Sequence, residues 1–169
     1  MSTNVKHRIF GLFFGQLIGD ALGTRYEFMS SKNAITLINK DMNNKYLEIL
    51  GGGPFDVKKG QYTDDSELAL GLWYSILKHK LYDIKDICNI FLKWYGSNPF
   101  DIGRATNLAF GTSNTMYEIK KNARKFNMLS LSNGCLMKIS ALGCINVLLN
   151  KSYDLEFLAN EICYISELI

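Results

Sequence analysis

The sequence predicts an all-α fold in a single domain. Three observations carry this. Apolar residues recur at three- and four-residue spacing along nearly the whole chain, the period of a helix face. Only two prolines, Pro54 and Pro99, interrupt 169 residues, so long helices are unobstructed. The chain is 47% hydrophobic and 12% aromatic, which excludes the disordered class and supplies a core.

The first helix covers about Asn4 to Leu22 and is apolar on most sides, so it is expected to be buried and central. A short helix follows from Ser31 to Asn39, with Ala34, Ile35 and Ile38 on one face. Tyr46 to Leu50 alternates weakly and reads as extended, and Gly51 to Gly60 is loop. The helix after Thr63 runs to about Lys78, and Leu68, Ala69, Leu72, Trp73, Ile76 and Leu77 cover more than one face, so it too is buried. Asp83 caps a helix from Ile84 to Tyr95 that turns Ile87, Ile90, Phe91 and Trp94 inward and stops before Pro99. A helix begins near Gly103, fades around Gly111 to Asn114 and resumes through Tyr117 and Ile119. Leu129 to Asn133 is loop, Asn133 to Leu149 is helical, and Asp154 caps a last helix that runs to the end.

The net charge is +3, and the one basic cluster, Lys120, Lys121, Arg124 and Lys125, has the spacing of a solvated helix face, so no nucleic-acid partner is expected. Lys6 and Arg8 before Ile9 to Phe14 imitate a signal peptide, but Gln16 and Asp20 break the run, which is too short to span a membrane. A cytoplasmic protein with no membrane partner is the expectation. Cys88, Cys135, Cys144 and Cys163 form no C-x-x-C pair and read as buried reduced thiols. His7 and His79 read as surface residues.

The chemistry concentrates in Gly51-Gly52-Gly53-Pro54-Phe55 and Thr63-Asp64-Asp65-Ser66-Glu67. Two readings compete for the second stretch. One is helix capping, with Asp64 as N-cap and Glu67 closing a capping box. The other is a metal site, because four short polar residues exceed what capping needs and paired carboxylates at a buried helix start want a cation. Oxygen-only ligands suit magnesium or manganese rather than zinc. Asp20, in Gly19-Asp20-Ala21-Leu22-Gly23, opposes the dipole of the helix it ends. Glu27 lies between Tyr26 and Phe28, an apolar setting that suits acid–base work as well as a loop glutamate would suit a surface. Asp101-Ile102-Gly103 reads as a helix cap or a site element, and Ser132-Asn133-Gly134 as a turn into a buried helix whose free N–H groups suit an anion.

Taken in order, these segments resemble the ADP-ribosylglycohydrolase family, which includes the dinitrogenase reductase-activating glycohydrolase. The matching residues are Gly15-x-x-x-Gly19-Asp20-Ala21-Leu22-Gly23, Glu27-Phe28, Gly51 to Phe55, Gly60 to Glu67, Asp101-Ile102-Gly103 and Asn133-Gly134-x-x-Met137. The resemblance implies an orthogonal helical bundle with a two-metal centre, holding Mg2+ or Mn2+, in a cleft. It implies Thr63, Asp64 and Asp65 as metal ligands, and Glu27 and Asp65 as catalytic residues. Asp20, Gly51, Gly52, Gly53, Pro54, Phe55, Asp101, Gly103, Asn133, Gly134 and Met137 would then bind the substrate, ADP-ribose or an ADP-ribosylated protein. The reaction implied is hydrolysis of the bond between the ribose anomeric carbon and an amino-acid side chain.

Three departures from the family pattern stand out. Ser132 replaces a glycine and Lys138 replaces an arginine, exchanging a forked donor for a point charge. The family's C-terminal Asp-x-Asp-Thr ligands have no counterpart, and Ile165 to Ile169 resembles the point just before the family's conserved Thr-His. The expectation is an N-terminal part of the fold whose activity needs a second half, from a separate chain or a longer parent. The alternatives are a non-catalytic ADP-ribose-binding remnant and a helical interaction module. Exposed apolar faces and self-association are expected to accompany a missing half.

Overall fold

The computed structural model describes residues 2–43 and 45–166. Eight α-helices dominate, with one two-stranded ribbon among the described residues. The chain divides into two compact units, Met1–Thr63 and Asp64–Ile169. The resemblance of the ending concerns Ile165 to Ile169, and its last three residues lie outside the described ones.

In the first unit, α1 (Thr3–Gly23) is N-capped by Ser2 and runs into a 3-10 turn, Thr24–Tyr26. Helix α2 (Ser31–Asp41) is capped by Ser30, whose hydroxyl accepts from Asn33 N–H. Strands β1 (Met42–Asn43) and β2 (Tyr46–Leu47) pair antiparallel, so the extended expectation holds at its first two residues only. Helix α1 is not buried as expected: of its residues only Ala21 is buried, and Phe10 (57% exposed), Phe14 and Ile18 face outward. Apolar composition states what a helix can bury, not what the chain supplies to cover it.

The second unit holds the core. Helix α3 (Asp64–His79) buries Leu68, Ala69, Leu72, Trp73 and Ile76, as its pattern predicts, but Leu77, expected with them, is exposed. It crosses α4 (Ile84–Gly96) closely, for a Cβ on Gly71 would lie 2.9 Å from Ile90. Asp83 caps α4 by accepting from Lys85 and Asp86 N–H, and Asp154 caps α8 (Leu155–Ser166) by accepting from Phe157 N–H. Helices α5 (Arg104–Phe110) and α6 (Met116–Phe126) divide where the apolar pattern fades. The α6 cations are largely solvated: Lys121, Arg124 and Lys125 are exposed, while Lys120 pairs with Glu161 at 3.4 Å.

Two expectations fail here. Residues 133–149 do not form one α-helix: Leu136–Cys144 is a 3-10 helix and only Ile145–Leu149, α7, is α-helical. Among the buried residues Cys135, Lys138, Ala141, Leu142 and Cys144, all but Leu142 fall three apart, the eclipsed face of 3-10 winding. Nine residues of apolar pattern do not separate a period of 3.0 from 3.6. Nor are all four cysteines reduced. Cys135 and Cys163 are joined by a disulfide, leaving Cys88 and Cys144 as buried free thiols. The bonded pair is 28 residues apart and meets because the 3-10 segment packs on α8, a contact that local spacing does not encode.

Candidate active site

The site residues of the first unit gather around the Thr24–Tyr26 turn. Asp20, on the last turn of α1, accepts the Thr63 N–H on Oδ2 (3.0 Å) and the Thr63 hydroxyl on Oδ1 (3.0 Å). The Thr24 hydroxyl donates to the Asp20 carbonyl at 2.9 Å and to Oδ1 at 3.2 Å. These donors offset the unfavourable placement of a carboxylate at a helix C-terminus. Thr24 and Thr63 are both fully buried. The Thr63 hydroxyl spends its proton on Asp20, so its oxygen lone pairs stay available to a further partner.

The triple-glycine loop packs on the same turn. Gly51, Gly52 and Gly53 have φ of 74°, 84° and 75°, a run of left-handed backbone that side chains resist. Space excludes side chains as well: a Cβ at Gly51 would lie 2.5 Å from the Val57 carbonyl, and one at Gly53 2.7 Å from the Thr24 carbonyl. Gly52 and Val57 exchange backbone hydrogen bonds of 2.7 and 3.1 Å, closing the loop that carries Pro54 and Phe55. The Phe55 ring meets the Phe28 ring edge-on at 6.1 Å. Glu27 is half-buried at the end of the turn, and its N–H donates to the Thr24 carbonyl at 3.4 Å.

Sequence reading missed the residues beneath this loop. Arg25 donates from Nε to Asp41 Oδ2 (2.6 Å), from Nη2 to Asp41 Oδ1 (3.2 Å) and from Nη1 to the Gly51 carbonyl (2.9 Å). The Tyr26 hydroxyl donates to Asp41 at 3.1 Å. The hydrogen bond to Asp41 raises the Arg25 pKa, and the bond from Arg25 holds the Asp41 carboxyl below the usual range. The only trace in the sequence is one acidic and one basic residue sixteen apart.

In the second unit, Asp64 opens α3 and is 7% exposed. Its Oδ2 accepts the Gly103 N–H at 3.1 Å, which joins two of the motif segments. Asp65 follows, half-buried. Glu67 Oε2 accepts from Trp94 Nε1 at 2.6 Å. Gly103, not Asp101, is the N-cap of α5, and it offers no side-chain cap. Beside it lies Thr106, 1% exposed, whose hydroxyl has no hydrogen-bond partner among the described residues. A Cβ on Gly103 would lie 3.8 Å from Asp64 Oδ2 and 3.9 Å from Thr106 Oγ1. A buried hydroxyl without a partner costs about 1–3 kcal/mol, which a ligand oxygen or a cation would offset.

Asn133, Gly134 and Met137 form the turn into the 3-10 helix, where Met137 N–H donates to the Asn133 carbonyl at 3.0 Å. Gly134 is buried and Asn133 exposed. Lys138 is wholly buried. The segment is tied to α3 by the Trp73 indole N–H, which donates to the Ser140 hydroxyl at 3.2 Å. A cavity of about 310 Å3 brings Arg104 and Ala105, which follow Gly103, to Ser130 and Ser132, which precede Asn133.

Within the second unit the donors at Asp64, Asp65 and Thr106 are oxygens only, so they fit a hard divalent cation in kind. Among the described residues, no three of His, Cys, Asp and Glu form a cluster able to hold a metal. No described helix is long and apolar enough to cross a membrane.

Known proteins resemble this chain in sequence and in fold. The chain is 37% identical over 144 residues to a protein of Acanthamoeba polyphaga mimivirus named as an ADP-ribosyl glycohydrolase, covering 84% of this chain and 42% of that one. It is 38% identical over 100 residues to the ADP-ribosyl-[dinitrogen reductase] glycohydrolase of Rhodospirillum rubrum, covering 59% and 32%. It is 34% identical over 106 residues to the ADP-ribosylarginine hydrolase Tri1 of Pseudomonas putida, covering 59% and 26%. The chain thus spans less than half the length of each of these relatives. A solved structure described as an ADP-ribosylglycohydrolase-related protein complex superposes with a TM-score of 0.69 at 26% identity, over 96% of this chain and 50% of that one. The family model for ADP-ribosylglycohydrolase matches residues 1–166, so the motif order, the helical fold and the match together place the chain in the ADP-ribosylglycohydrolase family.

Proposed function

We propose that the chain carries the substrate-binding and first metal-binding part of a hydrolase that removes ADP-ribose from modified protein side chains. The observation that carries this reading is the Asp20–Thr63 network. It fixes a buried threonine, with oxygen lone pairs to spare, immediately before the Asp64-Asp65 pair. Thr63, Asp64 and Asp65 would hold Mg2+ or Mn2+. When bound, the cation supplies Lewis acidity toward the ribose hydroxyls. Asp20 orients Thr63, and the Gly103 N–H orients Asp64. The Gly51 to Phe55 loop and the Asn133 to Met137 turn would contact the ADP-ribose.

In the reaction, the bond from the anomeric carbon to the side-chain nitrogen or oxygen breaks through an oxocarbenium-like state, as in glycoside hydrolysis. Water adds to the anomeric carbon, and its proton passes by way of a carboxylate to the departing atom. Glu27 and Asp65 are the carboxylates proposed for that transfer. The relatives named for ADP-ribosylarginine and for modified dinitrogen reductase support an ADP-ribosylated protein as substrate.

The test uses the full chain with an ADP-ribosyl-arginine peptide and magnesium. Release of ADP-ribose, lost in Asp65→Asn and in Glu27→Gln, supports the reading. Binding of free ADP-ribose without turnover, and with no binding of magnesium or manganese that Asp64→Asn and Asp65→Asn remove, would make the chain a binding module. A chain that neither binds ADP-ribose nor turns over the peptide sinks the proposal.

A further inference from the structure

A guanidinium hydrogen-bonds the triple-glycine loop at its first carbonyl. Arg25 uses its whole fork: two nitrogens on the Asp41 carboxylate and the third on the Gly51 carbonyl. The fit is close as well as polar, since a Cβ on Gly52 would lie 2.9 Å from Arg25 Nη1. Asp41 is fixed in turn. Its side chain is 6% exposed and also accepts the Tyr26 hydroxyl, so the carboxylate has little freedom to release the arginine. An exposed ion pair contributes little, but a bidentate pair with a nearly buried carboxylate holds a geometry. The chain from Tyr26 through Asp41 and Arg25 to Gly51 ends on a backbone carbonyl of the loop, not on a side chain.

We propose that Arg25, held by Asp41, is a positioning residue that sets the Gly51–Gly53 backbone for the ligand. The inference rests on the reading above that this loop contacts ADP-ribose. Arg25 acts through the loop and makes no contact with the ligand. Lysine at position 25 keeps the charge but not the fork, so it does not restore the geometry.

The experiment titrates free ADP-ribose into the full chain by calorimetry and follows amide hydrogen exchange at Gly52 and Val57. The variants are Arg25→Lys and Asp41→Asn, the second nearly isosteric. Asp86→Asn serves as a control, since Asp86 accepts from the Ser75 hydroxyl in the second unit and belongs to no part of the site. Both variants are expected to weaken ADP-ribose binding by about tenfold, the effect of one lost charge-assisted hydrogen bond. Gly52 and Val57 are expected to lose protection in parallel, with the control unchanged in both. Wild-type binding that survives both substitutions overturns the positioning role and leaves the ADP-ribose reading standing. Weakened binding with unchanged exchange overturns it too, because Arg25 would then touch the ligand directly. An equal loss in Asp86→Asn would trace the effect to global stability and overturn it as well. Wild-type protein that binds no ADP-ribose removes the reading itself, and this inference with it.

Discussion

Helices α1 and α3 look alike in sequence and differ in what surrounds them. Both are rich in apolar residues, and each borders a motif that carries candidate site residues. Helix α3 buries eight of its sixteen residues, whereas α1 buries one of twenty-one. The difference teaches that hydrophobicity along a helix sets its capacity for burial, while the rest of the fold sets how much of that capacity is used. In α3 the candidate residues Asp64 and Asp65 are mounted on a packed element. In α1 the anchor is its last turn, where Asp20 and Thr24 meet Thr63.

The sharpest way to break the contrast is truncation on each helix. Leu72→Ala in α3 removes a side chain with no exposure and is expected to cost about 2–5 kcal/mol in urea unfolding. Phe14→Ala in α1 removes one that is half exposed and is expected to cost within about 0.5 kcal/mol. Equal losses would mean that α1 is covered in solution. Next in size is the Cys135–Cys163 bond, which closes a ring 28 residues apart in sequence. Reduction is expected to lower the stability of the second unit by about 3–4 kcal/mol on the chain-entropy estimate. Unfolding curves with and without a dithiol reductant measure this.

The first unit answers to pH instead. Because the hydrogen bond from Arg25 lowers the folded pKa of Asp41, its stabilisation is present above the ordinary carboxylate range. It is lost as pH falls through the folded value, below about pH 4. Asp41→Asn is expected to flatten the acid limb of the unfolding profile, while the neutral baseline falls by about 1–3 kcal/mol. The smallest expected effect concerns the thiols. Burial pushes Cys88 and Cys144 up to about 11, so neither is expected to react with an alkylating reagent at neutral pH in the folded chain.

Much of this was legible because its causes are local. The burial of α3 follows from Leu68, Leu72 and Ile76, and the caps at Asp83 and Asp154 from one short polar residue before a helix. The loop expected at Gly51 to Gly60 follows from its glycines, and Gly51, Gly52 and Gly53 adopt the positive φ that glycine permits. What escaped is non-local. Arg25 and Asp41 are ordinary charges until α2 turns back on the Thr24–Tyr26 turn. The orphaned Thr106 hydroxyl is invisible without Gly103 and Asp64 beside it. The 3-10 helix escaped for another reason, since a buried lysine at position 138 argues against the face that the structure buries.

The disulfide also decides how the chain comes apart under a protease. The ring between Cys135 and Cys163 contains Lys151, exposed and in irregular backbone just after the left-handed Asn150. A tryptic cut there separates residues 1–151 from 152–169 in sequence but not in mass. The two pieces migrate as one band until a reductant parts them, so a nicked molecule keeps α8 tethered to the rest of the second unit.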